Sequence, residues 1–160
     1  MSNTNELKPD RIMQFAWGYA PTLAIEAAVH HGVFDLLDKK ALTVEELERE
    51  TKASRRGLAA ILDLLANLGL VKREGNRFAL TPESSAFLVS GKPGYHGMFF
   101  RHISDQLLPS WIKLSEIVRT GKPATSVNEQ GKGAEFFAEF VESLFPISHR
   151  AAAALGEHLG

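Results

Sequence analysis

The chain has 160 residues, 44% hydrophobic and 23% charged, with a net charge of −1; that suffices for one ordinary domain, or a core with helical extensions. A near-neutral balance gives no general attraction for nucleic acid or anionic membrane, and the absence of cysteine excludes disulfides, thiolate metal sites and cysteine nucleophiles. The opening MSNTNELKPD lacks the apolar run of a signal peptide and Ile12 to Ile25 is too short to span a bilayer, which points to a soluble, cytoplasmic protein.

In chain order, Asp10 can cap a first helix, RIMQFAWGYA, which Pro21 bends or restarts into TLAIEAAVHH before Gly32 ends it. Ile12, Met13, Phe15, Ala16, Trp17 and Tyr19 cover several faces of the first half. Such a helix must be buried by something, and a second chain is the natural candidate, with a groove of its own domain as the alternative. VFDLL (Val33 to Leu37) reads as a single apolar turn. Thr43 followed by Glu46 is a capping-box opening for the helix VEELERET. Ser54 opens a second helix, SRRGLAAILDLLANL, which Gly69 closes. LVKRE, a Gly75-Asn76 turn and RFAL then form a hairpin.

Helix, turn, helix and hairpin in that order make a winged helix. A DNA reader offers base-edge donors on its second helix, whereas this one offers Leu58, Ile61, Leu62, Leu64, Leu65 and Leu68. So wide an apolar arc predicts burial on more than one side. From Thr43 to Leu80, seven basic residues face six acids, a surplus of one and weak support for a phosphate-binding face. Thr81-Pro82 starts the helix ESSAFLV, and the run from Ser90 to Gly94 is the clearest internal joint. The expected fold is mainly α: a winged helix-turn-helix over residues 1–90, including an N-terminal dimer helix, and a helical extension over 91–160. In the extension Pro109 starts SWIKLSEIVRT, closed by Gly121, and AEFFAEFVESLF carries an aromatic stripe until Pro146 breaks or restarts it.

No catalytic motif is present. Gly91-Lys92, Gly121-Lys122 and Gly131-Lys132 lack the Ser or Thr and the spacing of a phosphate loop. His30 and His31 point about 100° apart on a helix and cannot share a metal. His102 and His149 are either pocket partners or ordinary surface or partly buried histidines; the second reading is the commoner one. Phe136, Phe137 and Phe140, with Phe99, Phe100 and Trp111, read as core before they read as a ligand box.

Several features then fall into a familiar order: Gly18-Tyr19, Ala27-Ala28 with Gly32-Val33-Phe34-Asp35 and Leu37, the Thr43-Glu45-Glu46-Leu47 helix, and Leu68-Gly69-Leu70-Val71. Leu80-Thr81-Pro82, Trp111 with Leu114, Val118 to Pro123, and Phe136-Phe137 continue it. The series resembles the N-terminal dimerisation domain of small-molecule O-methyltransferases that use S-adenosylmethionine. The resemblance implies an inward-packed winged helix intertwined with its twin in a homodimer, with Ile12, Met13, Phe15, Trp17 and Tyr19 at the interface. It also implies a following Rossmann-like domain, beginning just after Leu159-Gly160, that holds the methyl donor. The donor-binding glycines and the histidine base of the family have no counterpart here, so this chain is expected to carry no catalytic, cofactor or metal residue and to be catalytically incomplete alone.

What the resemblance carries over is a wall against a small planar phenolic or enolic acceptor: Trp111, Phe137, Phe140, Leu144 and Ser148. The family pattern has Met where this chain has Leu144, and Pro146 is an insertion. Two other readings of the residues stay open. One is a transcriptional regulator, with Arg55, Arg56, Lys72, Arg73 and Arg77 where phosphate contacts would fall. The other is a stand-alone small-molecule binder that uses the aromatic helices as a pocket.

Overall fold

A computed structural model describes residues 7–124 and 133–159; within the latter, side chains are described at Val141, Leu144, Phe145, Ser148, His149 and 151–159. Nine helices precede the gap among the described residues: α1 (Asp10–Ala16), α2 (Tyr19–His30), α3 (Val33–Lys39), α4 (Val44–Thr51), α5 (Arg55–Asn67), α6 (Pro82–Phe87), α7 (Gly97–His102), α8 (Leu108–Trp111) and α9 (Leu114–Thr120). A five-residue π-helical turn, Ile103–Leu107, joins α7 to α8, and α10 (Gly133–Leu159) follows the gap. Strands β1 (Leu42–Thr43), β2 (Val71–Glu74) and β3 (Arg77–Leu80) form one antiparallel sheet in the order β1-β3-β2.

The winged helix is built by local signals. Thr43 Oγ1 accepts from the Glu46 amide at 3.2 Å while the Glu46 carboxylate accepts from the Thr43 amide at 2.8 Å, closing the capping box that starts α4. Ser54 Oγ accepts from the Gly57 amide at 3.1 Å and starts α5; Gly69, at φ 74°, lets the chain leave α5 toward β2. Gly75 takes φ 64° at the first central position of the hairpin turn, the left-handed geometry that matches strand twist. Register follows, with Glu74 opposite Arg77 and Val71 opposite Leu80.

The core lies where α5 meets α2, α4 and β2. Leu58, Leu62 and Leu65, spaced i, i+4, i+7, are buried with Ala28, Val33, Phe34, Leu37, Leu47, Val71 and Phe78. Around this stripe Ile61 and Leu64 are half-buried and Leu68 is exposed. α5 thus packs one stripe on the core, not more than one side as its wide apolar arc predicts, and its opposite face is open at Arg56, Ala60, Asp63 and Asn67.

Several expectations are corrected. Asp10 is the first residue of α1, not its cap; Pro9 holds that place, with no side-chain cap bond. The break between the first two helices falls at Trp17-Gly18, not Pro21, which sits in the first turn of α2 where a missing N–H costs nothing. VFDLL is the start of a seven-residue helix, because Gly32 at φ 65° turns the chain and α3 buries Val33, Phe34 and Leu37. β1 is an additional strand, pairing Leu42 with Phe78. Pro109 does not open one long helix: α8 ends at Trp111 and α9 begins at Leu114. α10 runs through Pro146 without ending, and the nearby Ser148 hydroxyl donates to the Leu144 carbonyl at 2.9 Å.

Candidate functional site

Helices α1, α8 and α9 have no buried residue in the single chain. On α1 and the turn after it, Ile12, Phe15 and Trp17 are 72%, 75% and 62% exposed, and Met13 and Tyr19 are also exposed. Isolated exposed apolar side chains are ordinary, but five within eight residues concentrate apolar surface in one short stretch of chain. A second apolar set lies further along the chain: Trp111 and Ile112 at the end of α8, and Leu114 and Val118 on α9, all exposed.

Of the expected wall residues, Trp111 is 63% exposed, Leu144 is half-buried and Ser148 is exposed. The Ser148 hydroxyl is turned back onto its own helix, at 2.9 Å from the Leu144 carbonyl and 3.3 Å from that of Phe145. The side chains of Phe136, Phe137 and Phe140 lie outside the described residues. α10 runs against α7, and α7 against α2, so the aromatic helix is carried by the same stack that carries the winged helix. His102, on α7, is buried, which separates it from His149, exposed on α10 and tilted against Phe145 with ring centroids 5.2 Å apart.

The wing carries little free positive charge. Arg55 pairs with Glu45, Arg73 with Asp63 at 3.0 Å and Arg77 with Glu46 at 2.9 Å. Arg77 also donates to the Ala41 carbonyl at 2.8 Å, and Arg73 lies over the Phe78 ring. The Glu46 carboxyl is held below its ordinary value by the Thr43 amide first and then by Arg77; Glu45 is likewise lowered, first by backbone hydrogen bonding and then by Thr43. Three of the five side chains placed for phosphate contacts are thus engaged by carboxylates of this same unit.

No group of three or more His, Cys, Asp or Glu suited to a metal occurs among the described residues, and no helix among them is long and apolar enough to cross a membrane. A donor site of the Rossmann kind needs a parallel strand, a glycine turn and an open helix N-terminus. Among the described residues both strand-to-helix steps are free of glycine: β1 enters α4 at Thr43 and β3 enters α6 through Thr81-Pro82, and each helix start is filled by a threonine cap. These residues do not fit S-adenosylmethionine, and no step of methyl transfer follows from them. What they offer is apolar surface and a rigid mount.

The family model for the O-methyltransferase dimerisation domain matches residues 13–90. Residues 13–90 belong to that family. The match runs from Met13, inside α1, through α6 and includes the whole winged helix. The chain is 34% identical over 121 residues, 75% of its length and 36% of the relative's, to the tetracenomycin polyketide synthesis 8-O-methyl transferase TcmO of Streptomyces glaucescens. It is 30% identical over 124 residues, covering 78% of itself and 34% of the relative, to the N,N-dimethyltransferase OxyT of Streptomyces rimosus. In fold it is similar to human N-acetylserotonin methyltransferase, whose structure holds S-adenosylmethionine: TM-score 0.78 at 22% identity, over 92% of this chain and 47% of that one. The chain spans roughly a third to a half the length of these three proteins.

Proposed function

We propose that this chain is the N-terminal dimerisation and acceptor-wall portion of an S-adenosylmethionine-dependent small-molecule methyltransferase. In this reading residues 1–90 form the dimerisation unit, and 91–160 lead toward a donor-binding domain. The observation that carries it is the inversion of the winged helix. Its second helix packs on the core through Leu58, Leu62 and Leu65, while α1, the turn after it and the start of α2 leave Ile12, Met13, Phe15, Trp17 and Tyr19 uncovered. A homodimer covers such a surface with its own copy, since a two-fold interface sets identical apolar patches against each other.

Trp111, Phe137, Phe140, Leu144 and Ser148 form the acceptor wall in this proposal. Transfer of a methyl group from a sulfonium benefits from a dry site that holds donor and acceptor in line, and apolar walls orient a flat acceptor and exclude water. A small planar phenol or enol fits best. The related sequences include one named for O-methyl and one for N,N-dimethyl transfer, which supports an N-terminal unit that shapes the acceptor's surroundings without choosing the accepting atom. Alone, the 160 residues bind no donor and methylate nothing. The absence of cysteine is in keeping with a cytoplasmic location.

The test is sedimentation velocity of the chain and of a Phe15→Asp, Trp17→Asp double variant, each checked for helicity by circular dichroism. The expected result is a dimer for the parent and monomer or aggregate for the variant. A double variant that sediments as an undisturbed dimer overturns the interface. A monomeric parent at tens of micromolar overturns the reading.

A further inference from the structure

The stretch from Ser90 to Gly94, SGKPG, has the composition of a free linker, yet it is tied to α3 at two points. Asp35 and Asp38 are three residues apart and share one face of α3. Asp35 Oδ1 accepts from the Ser90 backbone amide at 2.7 Å. Asp38 Oδ1 accepts from Lys92 Nζ at 2.7 Å and from Ser85 Oγ at 2.7 Å, and Lys92 also donates to Ser85 Oγ at 2.7 Å. The lysine, the serine of α6 and the aspartate thus close a three-membered ring across 54 residues of chain. The Asp38–Lys92 pair is partly exposed, with side-chain exposures of 30% and 33%.

The corner is also tight. Gly91 takes φ 76°. At Gly94 a Cβ would come within 3.0 Å of the Ala86 carbonyl oxygen and of the Phe87 ring, so the backbone passes flush against α6. Immediately after it the His96 amide donates to the Phe87 carbonyl at 2.7 Å, and α7 begins at Gly97. A linker would leave α7 free to swing; this corner delivers it in one direction, onto α2.

We propose that Asp35 and Asp38 act as a two-point latch that locks the Ser90–Gly94 corner onto α3, so that α7, and α10 packed on it, turn with the winged helix as one body. Opening the latch at Lys92 releases the corner and the start of α7 while the winged-helix core stays folded. The latch itself stands on the geometry of α3, α6 and the corner. Its consequence for catalysis, a fixed position for the acceptor wall on α10, rests on the function proposed above.

Amide hydrogen exchange read by mass spectrometry tests the latch on this chain, independently of oligomeric state. In Asp38→Asn and in Lys92→Met, peptides covering residues 88–102 are expected to exchange about two- to fivefold faster, the range for loss of one partly exposed pair. Peptides from α4, α5 and the hairpin keep their protection. The exchanged pair, Asp38→Lys with Lys92→Asp, is expected to recover much of it. Unchanged exchange over 88–102 in both single variants overturns the latch. A uniform rise across the whole chain overturns it too, because the aspartate then supports global stability and not a local joint. A failed dimer test would leave these outcomes readable, since none of them is scored on association.

Discussion

Leu62 offers the sharpest test of the inverted winged helix. It is fully buried in α5, with Leu58 and Leu65 above and below it on the same stripe and with α2, α4 and β2 closing around that helix. Replacing it by Ala removes a side chain whose burial contributes about 2 kcal/mol, and the rigid surround adds a cavity term, for a total of about 3–5 kcal/mol. Set against a typical domain stability of about 5–15 kcal/mol, that is a large fraction, and for a chain of this size it lowers Tm by roughly 10 °C. Arg56, exposed on the same helix, is the matched control, with Arg56→Ala expected to stay within about 0.5 kcal/mol. The assay is urea unfolding followed by circular dichroism, at one fixed protein concentration because association shifts the apparent midpoint. A Leu62→Ala loss below about 1 kcal/mol, or an Arg56→Ala loss as large as that of Leu62→Ala, would refute the reasoning, for then the helix does not hold the core.

Two further outcomes follow from the capping box and the hairpin. Because the Glu46 carboxyl is lowered from an ordinary value of 4.5 by the Thr43 amide and Arg77, its contribution is present above that value and is lost as pH falls through the lower folded value. Glu46→Gln should therefore flatten part of the acid limb of a stability profile taken between pH 3 and 7, leaving in place the shares of Glu45 and of Asp38, whose carboxyl is lowered by hydrogen bonds from Lys92 and Ser85; an unchanged limb would show that Glu46 is not linked to folding. Gly75→Ala meets no atom within 4 Å but must hold φ 64°, so it is expected to cost about 1–2 kcal/mol from backbone conformation alone, read as a lowered urea midpoint. A neutral result there would mean that the turn relaxes to another geometry.

Where the sequence reading succeeded, the signals were local and chemical. Thr43 with Glu46, Ser54, Thr81-Pro82, Gly32, Gly69 and Gly121 each mark a helix end that the structure places at or within a residue of the expected position. The failures came where two rules compete. Pro21 looked like a breaker, but two residues past the start of α2 it has no helical partner to lose, and the aromatic-glycine step Trp17-Gly18 made the break. Pro146 looked the same and was carried through by a 27-residue helix. Two-residue β1 has no periodicity to detect; it exists because Leu42 and Thr43 lie beside Phe78 and Arg77 once the hairpin has formed. The apolar run from Ile12 to Tyr19 is legible in the sequence as one that its own domain does not cover, whereas the Asp38–Lys92 tie is not, because nothing in the local sequence connects charges 54 residues apart.

The neutral wing and the greasy helix answer different halves of one question. α5 turns its apolar stripe to the core and leaves Arg55, Arg56, Asp63 and Asn67 outward, so any hold on DNA depends on whether the basic side chains are free to meet phosphates. Here they are not. Arg77 is fixed by the Glu46 carboxylate and the Ala41 carbonyl, Arg73 by Asp63 and the Phe78 ring, and Arg55 by Glu45. These are exposed pairs worth about 0–1 kcal/mol each, so a phosphate would have to compete with them only weakly, but the carboxylates beside each arginine would repel the same backbone. Arg56 and Lys72 alone make too small a charge to replace them. The unit therefore keeps the shape of a DNA-binding module while its helix serves the core and its wing charges serve internal ties. Among the described residues, α1, α8, α9 and the outward side chains Val141, Phe145 and Leu155 of α10 leave apolar surface uncovered, and the homodimer proposed above would cover the part around α1 with a second copy of the chain.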